Sequence, residues 1–335
     1  MTRHHLDGVT HAVVPATALS VAGATRRPGS RRSSPKRVII SSPLRAVRAI
    51  TVLTAVGALL IGCSSTPHPP PSTAGAALAL EHIHGLSIAP DGRKLTAATH
   101  DGIFRIDLTD PDTIEGPLGG VVIDAMGYTA TTDVAYASGH PSPTEPSYLT
   151  EPNLGLIKSV DDGATWTEVS LGGEADFHAL TIHPTDANRI YGLDSQALEV
   201  MRSDDGGTTW KKGAQVLARD ILVSPADPDR VYATTTNGIA VSTDGATSFT
   251  IDEAMPRLFL LAADPARESR LAGVEDNGAI WYQTDLGEWV AGGSIEGPAQ
   301  AITVDPTGQR FFVADDRGIS VTSDFGATWT PVWER

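Results

Sequence analysis

Short apolar runs that end in proline recur along the chain about every 40 residues, at 84–90, 178–184, 219–225, 259–265 and 300–306. A second β-rich stretch, a hairpin signal such as Asn237-Gly238 and a polar turn follow them. This order predicts an innermost strand, a second strand, a hairpin and two outer strands. Four strands per repeat are typical of a propeller blade, and inner strands near residues 84, 124, 178, 219, 259 and 300 predict six blades.

One polar turn motif, Ser/Thr-x-Asp-x-Gly-x-Thr-Trp, follows the predicted third strand in four repeats. The copies are centred on Asp161 with Trp166, Asp205 with Trp210, Asp244 with Phe249, and Asp324 with Trp329, and residues 285–289 form a shortened fifth copy. The Asp carboxylate can accept backbone N–H groups of its own turn, and the aromatic ring can pack between sheets. We therefore expect structural corners between the third and fourth strands.

This motif resembles the Asp-box, or BNR repeat, over about residues 122–335. The resemblance implies a propeller, and it leaves the activity open because sialidases, sortilin-type ectodomains and xyloglucan-cleaving glycosidases share the repeat. The stretches His82-x-His84-Gly-Leu and Thr99-His100-Asp-Gly102 also resemble a bacterial lipoprotein family labelled glycosyl hydrolases. The chain lacks the early Phe/Tyr-Arg-x-Pro motif of sialidases, so we do not expect a typical sialidase.

The second repeat carries an insertion at residues 138–154 that contains four prolines. Proline removes a backbone donor and restricts the chain, so this stretch does not fit a continuous strand. We expect a long loop over one face of the ring.

The first 77 residues predict export and a lipid anchor. An uncharged run of 14 residues, 49–62, follows Arg45 and Arg48, and it is too short to span a bilayer as a helix. Leu60-Ile61-Gly62-Cys63 resembles the lipobox of bacterial lipoproteins, which implies acylation of Cys63, the single cysteine. We expect a basic leader and signal peptide at 1–62, the lipidated Cys63 and a flexible Pro-rich tether at 63–77, and a propeller at 78–335 on the extracytoplasmic face of a bacterial cell membrane.

The charge of the propeller differs from that of the leader. Nine of the 25 basic residues and one of the 40 acidic residues lie in 1–62, which leaves 16 basic and 39 acidic residues, a net charge near −23. This excess repels phosphate backbones, so we exclude nucleic acid as a partner. We expect a monomer whose ligand is a glycan, a protein or a cation.

Histidines are predicted to gather at one mouth of the central channel, away from the turn motifs. Alignment on the strand-ending proline makes His84 and His178 equivalent, and alignment on the second strand does the same for His100 and His140. His82 shares a strand face with His84. Neutral imidazole ligates Zn, Cu or Ni, so no cofactor is assigned but a divalent metal is one hypothesis. The alternatives are a proton-transfer and sugar-binding cluster, or side chains that only line the channel.

Acidic residues are predicted at the same mouth, at Asp194, Asp220, Glu275, Asp276, Asp315 and Asp316. A glycosidase needs two carboxylates about 5–10 Å apart, which such a ring would offer. The stretches 275–278 and 315–318 also have the composition of ordinary hairpin turns. Arg219 is a candidate anion-binding residue, with an ion pair to Asp220 as the alternative.

Three functional hypotheses follow from these residues. The first is a lipid-anchored ligand-binding or assembly module that uses the mouth of the channel. The second is a glycoside hydrolase that uses a carboxylate pair there, and the third is a divalent-metal-binding protein.

Overall fold

The computed structural model describes residues 80–143, 148–267 and 270–335, and these form six four-stranded antiparallel sheets arranged as a six-bladed β-propeller. The prediction of an all-β fold with six blades is confirmed. One 3₁₀ turn, Leu118–Gly120, links the first two blades. No helix in the described ranges is long and apolar enough to cross a membrane. The predicted leader, Cys63 and the tether lie outside the described residues.

Each blade consists of four strands that are consecutive in the chain. Blades one and two contain β1 (Ile83–Ile88), β2 (Lys94–Thr99), β3 (Gly102–Asp107), β4 (Asp110–Glu115), β5 (Ile123–Ala130), β6 (Ala135–Pro141), β7 (Leu156–Ser159) and β8 (Thr167–Ser170). Blades three and four contain β9 (Phe177–His183), β10 (Asp186–Asp194), β11 (Glu199–Ser203), β12 (Lys211–Gln215), β13 (Ala218–Ser224), β14 (Asp227–Thr235), β15 (Gly238–Ser242) and β16 (Thr250–Ile251). Blades five and six contain β17 (Leu260–Ala263), β18 (Leu271–Val274), β19 (Ala279–Gln283), β20 (Trp289–Ser294), β21 (Ala301–Val304), β22 (Phe311–Asp315), β23 (Gly318–Thr322) and β24 (Thr330–Glu334).

The innermost strands β1, β5, β9, β13, β17 and β21 contact one another in sequence, and β21 contacts β1 to close the ring. The last blade uses its own fourth strand, with Gly318 opposite Glu334, so within residues 80–335 as described no strand is exchanged between the first and last blades. The closing contact includes the Ile83 N–H, which donates to Gln300 Oε1 at 3.0 Å. Side-chain acceptors of this kind satisfy backbone donors that face the neighbouring blade.

Apolar side chains fill the spaces between blades. Leu95 and Ile106 of blade one pack with Phe312 and Ile319 of blade six in one buried cluster. This burial of β-branched, aliphatic and aromatic side chains between twisted sheets is the main stabilising contribution expected in such a fold.

The four turns predicted from the repeated motif lie between the third and fourth strands of their blades, and we call residues 159–166, 203–210, 242–249 and 322–329 the repeat turns. In the first, Asp161 Oδ1 accepts the Thr165 N–H at 2.9 Å and the Ser159 hydroxyl at 2.8 Å, while Oδ2 accepts the Thr165 hydroxyl at 2.6 Å. The same three bonds recur at Asp205, Asp244 and Asp324. The carboxylate therefore acts as a structural element within its own turn.

The aromatic residues of the repeat turns close the blades. Trp166 is 4% exposed, Trp210 Nε1 donates to Ser170 Oγ at 3.0 Å, and Trp329 Nε1 donates to the Ser294 carbonyl at 2.8 Å. The shortened fifth copy differs, because Thr284 Oγ1 accepts its backbone donors and Asp285 instead pairs with arginine, at 3.3 Å from Arg267 Nε.

The insertion in blade two begins later than predicted and does not lie wholly over a face. Strand β6 continues to Pro141, and the Leu154 N–H donates to the Gly139 carbonyl at 2.8 Å. Leu149 and Leu154 are buried in the same apolar cluster as Trp166. Two leucines among the prolines thus return part of the segment to the core, because their burial is favourable.

Candidate functional site

The histidines lie at the face where innermost strands begin and second strands end, which we call the mouth. Because neighbouring strands are antiparallel, the repeat turns lie at the opposite ends of the blades. A cavity of about 830 Å³ follows the inner strands, and its lining includes His84, Asp220 and Gln300. The mouth and the repeat turns therefore lie at opposite ends of the strands.

A β-bulge interrupts the pairing of the first and second strands near the mouth in blades one to four. The extra residue in each register shift is His84, Met126, His178 and Arg219, respectively. Bulges turn a side chain away from the regular pleat and are frequent beside functional sites. The same irregularity thus presents two histidines, a methionine and an arginine at corresponding positions.

The first group of candidate ligands, His84, His100 and Asp124, is named the first triad. Asp124 Oδ1 lies 3.9 Å from His84 Nε2 and 3.5 Å from His100 Nδ1. One ligand atom from each residue lies within 4.8 Å of the other two. The ring of His82, in a left-handed conformation with φ of 47°, lies 5.0 Å from that of His100, so His82 borders this triad.

Burial controls the protonation of the first triad. The side chain of His84 is 10% exposed, and burial, followed by the charges of His100 and Arg219, lowers the pKa of His84 to about 3. Burial also raises the pKa of Asp124. Within the described residues, His84 Nε2 and Asp124 Oδ1 are buried without a hydrogen-bond partner. The triad therefore combines a neutral imidazole with a carboxylate oxygen that is not satisfied.

The second triad consists of His140, Asp176 and His178. Asp176 Oδ2 lies 2.8 Å from His178 Nε2 and 3.6 Å from His140 Nε2, and it accepts the Ser195 hydroxyl at 2.7 Å. Burial acts to raise the pKa of Asp176. The hydrogen bonds from His178 and Ser195 and the charges of His178 and His140 act in the opposite direction, and the net effect is a lowered pKa. This carboxylate is thus held ionised by partners that the first triad lacks.

The backbone orients His140. His140 Nδ1 lies 3.1 Å from the Pro152 carbonyl, which can only accept, so Nδ1 carries the proton and the lone pair of a neutral ring is on Nε2. Nε2 is the atom that faces Asp176. A carbonyl that fixes the tautomer in this way is a common outer partner of metal-binding histidines.

The two triads are neighbours. Asp124 of the first and His140 of the second are directly opposite each other on β5 and β6. Such cross-strand pairs have Cβ atoms about 4.5–5.5 Å apart on one face of the sheet. The charges of His140 and His178 also act on the pKa of Asp124. Four of the five predicted histidines thus belong to one continuous cluster, with His82 at its border.

Three of the six predicted acidic residues are engaged in turns or ion pairs. Asp194 Oδ1 accepts the N–H groups of residues 196 and 197 at 2.8 Å, Glu275 Oε1 accepts Trp281 Nε1 at 2.7 Å, and Asp315 Oδ2 pairs with an Arg317 terminal nitrogen at 2.6 Å. The neighbours Asp276 and Asp316 are exposed. These contacts favour the turn alternative for the stretches 275–278 and 315–318 and place Asp194 in a turn as well.

Asp220 links blades four and five at the channel wall. Its Oδ1 accepts the Ile221 N–H at 2.9 Å and its Oδ2 accepts the Leu261 N–H at 3.1 Å. Burial raises the pKa of Asp220 to about 6, although these two bonds and the charge of Arg219 act against it. The Arg219 guanidinium lies 5.4 Å from the centre of the Phe259 ring and forms no ion pair with Asp220. The two side chains thus form no ion pair within 4.0 Å, although the charge of Arg219 still acts on the pKa of Asp220.

Comparisons with known sequences assign the chain to no family. No family model matches the chain. It is 36% identical over 90 residues to vacuolar protein sorting/targeting protein 10 of Pyricularia oryzae, a match that covers 25% of the chain and 6% of that protein. The chain thus spans a small part of its curated relative.

Solved structures of similar fold include an auxiliary nutrient binding protein from Bacteroides thetaiotaomicron, with a TM-score of 0.53, 13% identity and coverage of 73% of this chain and 70% of that chain. A GH74 xyloglucanase from Xanthomonas campestris has a TM-score of 0.50 and 18% identity, covering 76% and 46%. The β-propeller domain of Cps50 (Swd1) from Myceliophteria thermophila has a TM-score of 0.50 and 10% identity, covering 76% and 86%. These likenesses show the fold alone.

Sequence reasoning missed Asp124 and Asp176, the two central carboxylates. Asp176 precedes His178 by two residues, as His82 precedes His84, and the register of the blade-two bulge places Asp124 two residues before Met126. The spacing was therefore a usable signal. Alignment on the proline that ends the inner strand leaves out Asp124, because blade two lacks that proline, whereas Asp176 precedes an inner strand that is followed by Pro184 and has this spacing as its signal.

Each triad offers two imidazole nitrogens and one carboxylate oxygen. This donor set suits Zn, Cu or Ni better than Mg or Ca, which prefer oxygen ligands. Three protein ligands leave at least one coordination position for water or another molecule. The same groups can also transfer protons, since a carboxylate with a raised pKa lies beside one with a lowered pKa.

Proposed function

We propose that the protein is a lipid-anchored, extracytoplasmic propeller that binds a divalent transition metal ion at its mouth, first at His84, His100 and Asp124. One observation carries the proposal: His84 Nε2 and Asp124 Oδ1 are buried, have no hydrogen-bond partner among the described residues and face each other at 3.9 Å. This is the third of the three hypotheses, the divalent-metal-binding protein.

The energetics of the first triad favour an ion. A buried polar atom without a partner costs about 1–3 kcal/mol, and a metal between these two atoms would remove both costs. The pKa of His84 is about 3, so its ring is neutral near pH 7 and releases no proton when a metal binds. The site is thereby prepared for a cation before the cation arrives.

A second ion would bind more weakly at the second triad. Asp176 Oδ1 is also buried without a hydrogen-bond partner among the described residues, but His178 Nε2 is already bonded to Asp176 Oδ2, and this bond must rearrange before the imidazole nitrogen can coordinate a metal. We therefore expect sequential loading, with the first triad filled before the second.

The proposed location rests on the leader. The run of residues 49–62 followed by Cys63 supports export, acylation and a membrane anchor. The shared hydrogen bonds of the four repeat turns support their assignment to the Asp-box repeat. A monomer remains the expected oligomeric state.

Metal stoichiometry tests the proposal. The full chain, purified in detergent, is loaded separately with Zn²⁺, Cu²⁺ and Ni²⁺, dialysed without chelator and assayed by elemental analysis. We expect at least one retained ion per chain for one of these metals, and loss of the tightest ion in His84→Ala and in Asp124→Asn.

His183→Asn is the matched control, because His183 lies at the other end of β9 from the mouth. It should retain the metal. A wild-type chain that holds none of the three metals, or triad variants that hold as much as wild type, would refute the proposal.

A glycoside hydrolase is the second candidate, and the different environments of Asp124 and Asp176 favour it. The raised pKa of Asp124 suits a general acid, and the lowered pKa of Asp176 suits a nucleophile or base. A solved xyloglucanase shares the fold, which by itself assigns no activity.

Reducing-end release from xyloglucan by the metal-free chain tests this alternative. If the protein is a hydrolase, release of reducing ends should be abolished in both Asp124→Asn and Asp176→Asn. Asp194→Asn, at the turn that follows β10, should release them at the wild-type rate. Absence of release by the wild-type chain would leave metal binding as the function of the mouth.

A further inference from the structure

His82 borders the first triad in a backbone conformation that is uncommon for a residue with a side chain. It immediately precedes β1, its φ is 47° and its side chain is exposed. Residues other than glycine are strained at such a positive φ, and residues held in this way cluster at ligand-binding sites. Glycine would occupy the position without strain. The imidazole of His82 is thus kept at the mouth at a conformational cost.

The imidazole rings of His82, His84 and His100 form a compact group. The ring centres of His82 and His100 are 5.0 Å apart, those of His84 and His100 are 4.7 Å apart, and those of His82 and His84 are 6.1 Å apart. With Zn–N bonds of about 2.0–2.1 Å, two imidazoles that share one tetrahedral ion have ring centres about 5 Å apart. The three separations lie on either side of this value, so the rings are already spaced for a common ion.

The exposed side of the first triad is the side on which His82 lies. The side chain of His84 is 10% exposed, whereas that of His100 is 42% exposed, so an ion must enter past His100. His82 contacts the His100 ring there. The ligand atoms that lie within 4.8 Å of one another belong to His84, His100 and Asp124, so the His82 ring must turn to direct a nitrogen at the ion. Its exposure leaves room for this rotation.

We propose that His82 is a fourth metal ligand, which closes over an ion bound to the first triad and completes a tetrahedral site of three imidazoles and one carboxylate. The inference rests on the proposed function and fills the coordination position that the triad leaves open. It makes Zn²⁺ the fitting ion, because Zn²⁺ accepts tetrahedral coordination whereas Cu²⁺ and Ni²⁺ favour square-planar or tetragonal sites. Four protein ligands leave no position for a catalytic water, which is typical of sites that hold an ion rather than use it in catalysis.

The test uses Co²⁺ in place of Zn²⁺, because its visible absorption bands report changes in coordination. The full chain in detergent is titrated with Co²⁺ to one equivalent, the bands are measured with and without azide, and displacement of Co²⁺ by Zn²⁺ gives the affinity for Zn²⁺. In wild type, azide should leave the bands unchanged, because no coordination position is open to it.

His82→Asn should bind Zn²⁺ at least about tenfold more weakly than wild type, equivalent to about 1.4 kcal/mol. Asparagine tolerates the left-handed conformation, so the variant removes the imidazole and retains the backbone. Azide should shift the Co²⁺ bands of this variant, because a position is now open. In His82→Gly, free imidazole should restore the wild-type bands, which a purely structural role of His82 would not produce.

Leu198→Asn is the matched control. Leu198 is also left-handed, with φ of 52°, is 40% exposed and lies in the turn between β10 and β11 at the mouth, but it belongs to neither triad. The variant should keep the wild-type affinity for Zn²⁺ and bands that azide does not change.

The possible failures are distinct. If azide shifts the bands of wild type, if His82→Asn and Leu198→Asn behave alike, or if wild type retains Cu²⁺ or Ni²⁺ but no Zn²⁺, the role of His82 is refuted and the three-residue metal site stands. If wild type binds no Co²⁺ and none of the metals named above, the proposed function itself is refuted and this inference with it.

Discussion

The mouth and the repeat turns both rely on aspartate, but they treat its carboxylate in opposite ways. In a repeat turn, both oxygens of Asp205 accept bonds from residues within the same turn, and these bonds lower its pKa. At the mouth, Asp124 Oδ1 is buried without a hydrogen-bond partner among the described residues, and burial raises the pKa of the side chain. The difference suggests that a carboxylate satisfied by its own turn is structural, whereas one that is buried and unsatisfied is available to a ligand.

Removal of a repeat-turn carboxylate should have the largest effect on stability. Asp205→Ala deletes three hydrogen bonds of its turn, so we expect a lower free energy of unfolding than in wild type, by more than in any other turn variant named below. Chemical denaturation followed by tryptophan fluorescence measures it. Metal stoichiometry should stay at the wild-type value.

Asp133→Ala is the control for this prediction, because Asp133 is an exposed turn aspartate of blade two. Its effect should stay within about 0.5 kcal/mol. Equal losses in the two variants would show that the turn carboxylates are not structural, and the contrast with the mouth would then fail.

Ser195→Ala should separate the two triads. Ser195 donates to Asp176 Oδ2 and is not part of the first triad. Loss of this competing bond should tighten metal binding at the second triad by about tenfold and leave the affinity of the first triad unchanged. Calorimetric titration with Zn²⁺ resolves the two steps. An equal change in both steps would contradict the assignment of separate triads.

Asp220 sharpens the comparison through its pH dependence. Its folded-state pKa of about 6 lies above its ordinary value of 3.8, so its favourable contribution is complete below about pH 4 and is lost as the pH rises through 6. Asn cannot ionise. Between pH 4 and 7 the stability of Asp220→Asn relative to wild type should therefore rise by about 1–2 kcal/mol, since one pKa unit corresponds to about 1.4 kcal/mol.

The contribution of the repeat-turn carboxylates to stability should depend on pH in the opposite direction to that of Asp220. Their hydrogen bonds lower the pKa of Asp244 and of Asp324 to about 2, so their contribution is present above about pH 4 and is lost as the pH falls through 2. The free energy of unfolding measured from pH 2 to 7, with Asp133→Asn as the control for loss of one charge, tests the pH dependence of Asp220 and of the repeat turns.

A relative stability of Asp220→Asn that is flat between pH 4 and 7 would refute the account of Asp220.

The six blades were predictable because the turn motif and the strand-ending proline repeat about every 40 residues, and one structural unit per repeat follows from that period. The histidines of blades one to three were predictable in the same way, since equivalent positions in a ring meet at one mouth. Asp124 and Asp176 were not predicted, because a two-residue spacing is their one sequence signal and their burial depends on neighbouring blades.

Acidic residues misled sequence reasoning for a physical reason. Carboxylates are abundant in tight turns, where they accept nearby backbone donors, and Asp194 and Glu275 are of this kind. Their number near the mouth therefore carried little information about function. The distinguishing property was the absence of a hydrogen-bond partner, which only the folded contacts reveal.

The most direct test of the central claim is anomalous diffraction at the zinc edge from crystals of the zinc-loaded full chain. The account predicts one strong peak about 2.0–2.2 Å from His84 Nε2, His100 Nδ1 and an Asp124 oxygen, with a weaker peak at the second triad. A peak elsewhere with both triads empty, or zinc-saturated crystals with no peak at the mouth, would contradict it.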